Sequence, residues 1–274
     1  MKLITQGAVG VLAVVAAFLP TSKALGGELD LSTATSGSIG DALFSVVDNH
    51  PTGTGVFDPF LTVQSPGNQP IEQGYNTSGR PLPLDDLRNH WNIDLQVQNL
   101  QSVTIGDTSY YVFELDANET GTGNIGRFLS IDNIRIYTSG TGGQTANNPD
   151  DLGKLRYSLN DPRLAGGNTF TIDNWVKIDA SRADGGSTSG SGSSDLLVYV
   201  PAKLFADALP TDFVYFYNLN GVHYAADPGT SADAGFEEWR ALRGVPDGGN
   251  SLLLLGSGLT ALGLIARRKM ATNA

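Results

Sequence analysis

A chain of 274 residues with no cysteine, three histidines and a formal charge of −11 has narrow chemical options. No disulfide, thiolate metal site or cysteine nucleophile can form, and His50, His90 and His223 leave little material for zinc or triad chemistry. The acidic excess repels nucleic acid and anionic lipid and favours cations, divalent ones above all, so nucleic-acid binding is disfavoured.

The N-terminus reads as an export leader. Met1-Lys2 supplies a minimal positive start, and Gly7 to Leu19 is a run of thirteen uncharged, mostly apolar residues. Ser22-Lys23-Ala24 then puts small residues at the two positions a signal peptidase reads, so residues 1–24 form a signal peptide cut between Ala24 and Leu25. A retained N-terminal anchor is the alternative, but thirteen residues are too few to span a bilayer comfortably.

Residues 25–243 form the body, and about 220 residues can bury one core without disulfides. Much of the chain's stock of 34 glycines, with many Ser, Thr, Asn and Asp residues, punctuates short β-prone runs there, with no long amphipathic helix. Ser38 to Val47 could be a strand or a short helical turn. Gly55 to Gln64 alternates like a strand but carries Pro59, which suggests an edge or a bulge. Trp91 to Leu100 alternates almost perfectly, with Trp91, Ile93, Leu95 and Val97 on one face. Thr108 to Leu115 and Ile131 to Tyr137 are strong strand runs. A polar loop over Ser139 to Asp151 leads to Lys154 to Leu159, Thr169 to Ile172 and Asn174 to Asp179. Ser181 to Ser194 is a loop by composition. Asp195 to Val200 and Asp212 to Leu219 read as central strands, with a short helix over Ala202 to Leu209 between them. Many short strands without βα alternation predict an all-β fold, an antiparallel β-sandwich of jelly-roll-like form.

Two constellations in the body could carry chemistry. Asp116-Ala117-Asn118-Glu119-Thr120-Gly121 follows a strand and places oxygen side chains at alternate positions with glycine sixth, as a calcium loop does. Arg127 stands where an EF-hand has its bidentate glutamate, so any site is looser. Asp116, Asn118, Glu119 and Asp132 are its candidate ligands and calcium its candidate cofactor. The competing reading is a solvated turn that caps the strand. Glu237-Glu238 beside Trp239 could be a glycosidase pair or a sugar platform. The favoured reading has Phe236 and Trp239 filling the core while both glutamates face water or pair with Arg240 and Arg243. Tyr110, Tyr111, Tyr215, Tyr217 and Tyr224 read as strand-packing aromatics, and His90 and His223 as surface or satisfied loop residues. No catalytic residue is assigned. Asn76-Thr77-Ser78 and Asn118-Glu119-Thr120 match the glycosylation acceptor pattern, which means little if the source is bacterial.

The C-terminal segment, 244–274, has three parts in order. Val245-Pro246-Asp247-Gly248-Gly249 forms a turn-prone motif, 251–266 is an uncharged helix candidate, and Arg267, Arg268 and Lys269 follow. Sixteen residues at roughly 1.5 Å rise give about 24 Å, enough with flanking residues to cross a thin bilayer. The cations would hold the end on the cytoplasmic side. Losing the leader and everything after Gly249 would leave 12 basic against 28 acidic residues, a charge of −16.

This ending resembles the sorting signal of the PEP-CTERM class in its Val-Pro-Asp variant, although the commoner form has Glu-Pro where Asp247-Gly248 stands. The resemblance implies recognition by an exosortase, a membrane-embedded processing enzyme of Gram-negative bacteria. Gly53 to Leu61, Glu72 to Thr77, Tyr110 to Glu119, Leu129 to Asp132, Gly190 to Asp195 and Gly235 to Trp239 resemble an ectodomain common in that class. The expected function is that of an exported, non-enzymatic envelope or extracellular-matrix protein. It would be held transiently in the inner membrane, then displayed on the surface or released among extracellular polysaccharide. The alternatives are a secreted carbohydrate-binding or carbohydrate-active protein with the same tail, and a plain single-pass membrane-anchored surface domain.

Overall fold

The structure, a computed structural model, describes residues 26–47, 57–67, 69–85, 90–119, 126–160, 172–182, 194–227 and 229–242. The leader residues Ala24 and Leu25, the 245–249 motif, the helix candidate 251–266 and the basic end 267–269 lie outside them. Among the described residues no helix is long and apolar enough to cross a membrane.

The described strands run in chain order as β1 (Gly27–Asp30), β2 (Ser36–Ile39), β3 (Ala42–Val46), β4 (Leu61–Val63), β5 (Glu72–Tyr75), β6 (Leu95–Gln96) and β7 (Ser102–Ile105). There follow β8 (Thr108–Asp116), β9 (Phe128–Ser139), β10 (Lys154–Ser158), β11 (Asn174–Asp179), β12 (Leu196–Pro201), β13 (Phe213–Asn220) and β14 (Glu237–Ala241). They make two sheets in a sandwich-like, all-β architecture. One sheet has the order β1-β11-β9-β13-β5, with β10 on β9 and β6 on β13; the other has the order β2-β3-β12-β8-β14-β4, with β7 on β8. Pairing is antiparallel except for β1, which lies parallel to β11.

Alternation explains the core. Leu196, Val198 and Val200 of β12 point inward at period two, as do Phe113 and Leu115 of β8, and all are buried. Opposite them, Ile134 and Ile136 of β9 and Val214 and Phe216 of β13 line the inner face of the other sheet. Phe60, Phe113, Phe216 and Trp239 meet between the sheets at centroid distances of 4.7–6.2 Å. Each such ring contributes about 1.5–3 kcal/mol by leaving water. Strand β13 is buried on both faces, as its nearly continuous apolar sequence requires. Its outward Tyr215, Tyr217 and Leu219 form a second cluster with Tyr75, Tyr137 and Leu152.

The segment expected as a polar loop, 139–151, covers this outer face. Tyr215 Oη donates to the Thr141 carbonyl at 2.8 Å, Tyr75 Oη to that of Ala146 at 2.9 Å, and Thr77 Oγ1 to that of Gln144 at 2.7 Å. The phenols thus find acceptors in backbone that must itself be satisfied.

The largest departure from the expected strands is at 91–100, where only Leu95–Gln96 pair before a 3-10 turn over Val97–Asn99. Asn92 takes the place of a ladder there: its amide exchanges hydrogen bonds with the Thr62 backbone, donating to the carbonyl at 3.1 Å and accepting from the N–H at 3.2 Å. A side chain has replaced the backbone partner, so alternation continues without a strand. Ser38–Val47 resolves into the β2–β3 hairpin around Gly40, whose φ of +60° suits glycine. The helix expected over 202–209 is one 3-10 turn, Ala202–Phe205. The 169–171 part of one expected strand and 183–193 of one expected loop lie outside the described residues.

Candidate functional site

Along β13 the inward face changes character. Val214 and Phe216 are followed at the next two inward positions by Asn218 and Asn220, both fully buried. Trp239 Nε1 donates to Asn218 Oδ1 at 3.0 Å, and the two amides exchange hydrogen bonds at 2.9 and 2.8 Å. Asn220 then donates to Glu72 Oε1 at 3.0 Å across the β13–β5 pair. Glu72 turns inward for the same reason as Gly74 two positions on, where a Cβ would meet Val63 of the other sheet at 3.2 Å.

Two further glutamates come to the same place. Glu237 pairs in register with Val63 and alternates with Trp239 and Ala241, so the pleat of β14 sends it between the sheets. Glu119 follows β8 and is steered by Asn118, whose Nδ2 donates to the Phe236 carbonyl at 2.8 Å. Gly235 permits this approach, since a Cβ there would lie 2.2 Å from the Asn118 carbonyl oxygen.

Glu72, Glu237 and Glu119 are 0, 1 and 5 % exposed. Glu72 Oε2 and both oxygens of Glu119 and Glu237 find no donor from a neutral or basic side chain and lie against one another's carboxyls. The strongest influences on the three are burial, one another, the Asn220 amide, the Glu237 backbone N–H and Asp233; no basic side chain is among them. Burial first, and then neighbouring carboxyls, push Glu72 and Glu119 above the usual carboxylate range, and burial also raises Glu237, against which both others lie. Protons here belong to the trio as a unit. With such low exposure these carboxyls face no open cleft into which a sugar ring could enter. As the side chains stand, no group of three or more His, Cys, Asp or Glu among the described residues is arranged to hold a metal ion.

The expectation that Glu237 and Glu238 face water is therefore corrected: both are buried. Trp239 fills the core as expected. Arg240 pairs with Glu114 instead, its Nε and Nη2 donating to Glu114 Oε2 at 2.9 and 2.5 Å. That pair lies on the outward face of its sheet, as do Asp116 and Glu238, which are opposite one another in register.

The four residues expected to surround calcium are not brought together. Asp116 is on the outward face of one sheet and Asn118 is committed to the Phe236 carbonyl. Only Glu119 enters the trio. Asp132 lies on the outer face of the other sheet, where Ser130 Oγ donates to Oδ2 at 3.0 Å and the Val222 N–H at 2.6 Å. His223 Nδ1 contacts Asp132 Oδ1 at 2.5 Å, Nε2 lies 3.3 Å from Asp173 Oδ2, and the ring stacks on Trp175 at 4.2 Å. The turn is fixed by Gly221 at φ +81°, where a Cβ would lie 1.8 Å from the Pro70 carbonyl oxygen. Burial alone would lower the His223 pKa, but the two carboxylates outweigh it and hold it above the ordinary 6.5. Each ring nitrogen of His223 has a carboxylate beside it, which favours the protonated form of the ring.

Sequence reasoning missed Glu72 and the inward turn of Glu237. A signal for the second was present: Glu237, Trp239 and Ala241 alternate, so a strand that buries Trp239 must also bury Glu237. No family model, no curated protein and no solved structure matches the chain.

Proposed function

We propose that the chain is an exported, non-enzymatic envelope or extracellular-matrix protein of a Gram-negative bacterium, sorted through its C-terminal segment by an exosortase-type enzyme. The observation that carries this reading is where the fold closes. The last described strand, β14, ends at Ala241 and is held on both sides, by β8 and β4, before the Val245-Pro246-Asp247-Gly248-Gly249 motif begins. Cleavage in the motif would therefore remove none of the described strands. The body would act as a durable module for structure or for contacts with extracellular polysaccharide. The jelly-roll description belongs to this proposal.

The test is intact-mass analysis of the protein recovered from its native envelope. The expected species starts at Leu25 and ends near Pro246-Asp247. Recovery of a chain that still ends at Ala274 would replace this reading with a plain membrane anchor.

A further inference from the structure

We propose that Arg135 and Asn133, on the outer face of β9, form a binding site for one small anion, a halide or a compact carboxylate. Ile134 and Ile136 point between the sheets, so the pleat sends Asn133, Arg135 and Tyr137 to the opposite face, with Asn133 beside Leu219 and Arg135 beside Tyr217 of β13. Arg135 is 2 % exposed and Asn133 is fully buried. The guanidinium is anchored at one end only: Nη1 donates to Asp150 Oδ1 at 2.7 Å, and the same oxygen accepts from Tyr137 Oη at 2.9 Å. Its other edge, Nε and Nη2, is buried and finds no acceptor in the protein, and neither amide atom of the Asn133 side chain has a partner.

A guanidinium does not give up its proton in a protein, so Arg135, unlike the carboxyls between the sheets, cannot neutralise itself. Its counter-charge, Asp150, has a side chain 49 % exposed, so solvent screens that attraction and the buried edge of the cation is the less compensated one. Donors without acceptors are costly in an interior, and most so on an ion. The shape of the free edge selects the ligand. Nε–H and Nη2–H run parallel, a fork that a carboxylate meets with two oxygens and a halide meets by sitting between them. Asn133, next on the same face, brings an amide whose N–H groups can turn toward the same point. The depth of both residues restricts the ligand to something compact, which disfavours sulfate, phosphate and sugar acids. Bound there, the anion would complete the polar layer through which Asp150 ties the Pro149–Asp151 turn to β9.

The experiment melts the full chain in sodium isethionate, chloride, bromide or acetate at one ionic strength, the bulky isethionate serving as reference. Chloride, bromide or acetate at tenfold excess over its Kd should raise the midpoint saturably by about 3–6 °C. Whether the halides or acetate act at the lower concentration tells which of the two the site is shaped for. Arg135→Lys keeps the charge and loses the fork, and Asn133→Asp puts a carboxylate where the anion would lie; both should fold and lose the salt-specific rise. A readout that needs no variant is anomalous scattering from crystals grown in bromide, with a peak expected against Nε and Nη2 of Arg135. The assignment is overturned if all four salts give the same midpoint, which would mean that water satisfies the edge. It is equally overturned if the rise survives in both variants, or if bromide is found at surface positions alone, an adventitious ion only.

Discussion

The outer-face aspartate and the inter-sheet glutamates are solutions to the same problem in one molecule. Asp132 is as deeply buried as Glu72, yet it accepts from Ser130 Oγ, the Val222 N–H and His223, so the protein supplies its own counter-charge and donors. The glutamate trio receives one side-chain donor from outside itself, Asn220, for six oxygens. The difference teaches where buried charge is kept and where it is given up. A carboxylate surrounded by donors is already satisfied, whereas carboxyls that face one another must share protons.

Several substitutions would break or sharpen this contrast. The largest effect should come from Trp239→Ala, which removes both the ring packed 4.7 Å from Phe216 and the donor to Asn218. A loss of about 3–5 kcal/mol in denaturant unfolding is expected, because the apolar and polar ends of the interior share this one side chain. Asp132→Ala should cost about 2–4 kcal/mol by the same measurement, since a cation, a backbone N–H and a hydroxyl all lose their acceptor. Gly235→Ala should follow at roughly 1–3 kcal/mol, because backbone must move where a Cβ meets the Asn118 carbonyl. The smallest change should be Glu237→Gln, within about 1 kcal/mol of the unaltered chain and of either sign, because one of three mutually opposed carboxyls is replaced by a neutral amide of the same shape. A large loss there would erase the contrast with Asp132.

The pH dependence gives a further handle. The His223 pKa is raised by folding, so the stability contributed by its protonated form is complete below about 6.5 and is lost as pH rises through the higher folded value. Asp132 is itself raised by burial, which gives the same sign. The difference in melting midpoint between the unaltered chain and His223→Gln should therefore shrink on going from pH 6 to pH 8. Taking the difference removes titration common to both proteins, including that of the glutamates.

Much of the fold was legible where local and tertiary preferences agree. The runs at 108–115, 131–137, 195–200 and 212–219 alternate or stay apolar because they bury one or both faces, and all became long strands in the sheets. The 91–100 segment misled because alternation reports which side chains are buried, not which backbone groups pair; Asn92 supplied the pairing. The calcium reading grouped Glu119 with neighbours in sequence, whereas the carboxyls beside it are Glu237, on the paired strand β14, and Glu72, from the other sheet. Contacts between sheets leave no short-range trace. The parallel β1–β11 pair was likewise hidden, since a four-residue edge strand carries no sign of its direction.

The placement of β14 between β8 and β4 also governs the order of events in assembly. A chain made from its N-terminus delivers β4 early, yet among the described strands β4 has only β14, the last of them, to pair with. Folding of that sheet must wait for nearly the whole body to emerge, a long loop closure that slows the search for the native state. During the wait, the hydrophobic edge of β8 is open to any passing strand. Substitutions that weaken the β14–β8 pair should therefore raise the share of chains that aggregate on refolding, read as turbidity at fixed protein concentration.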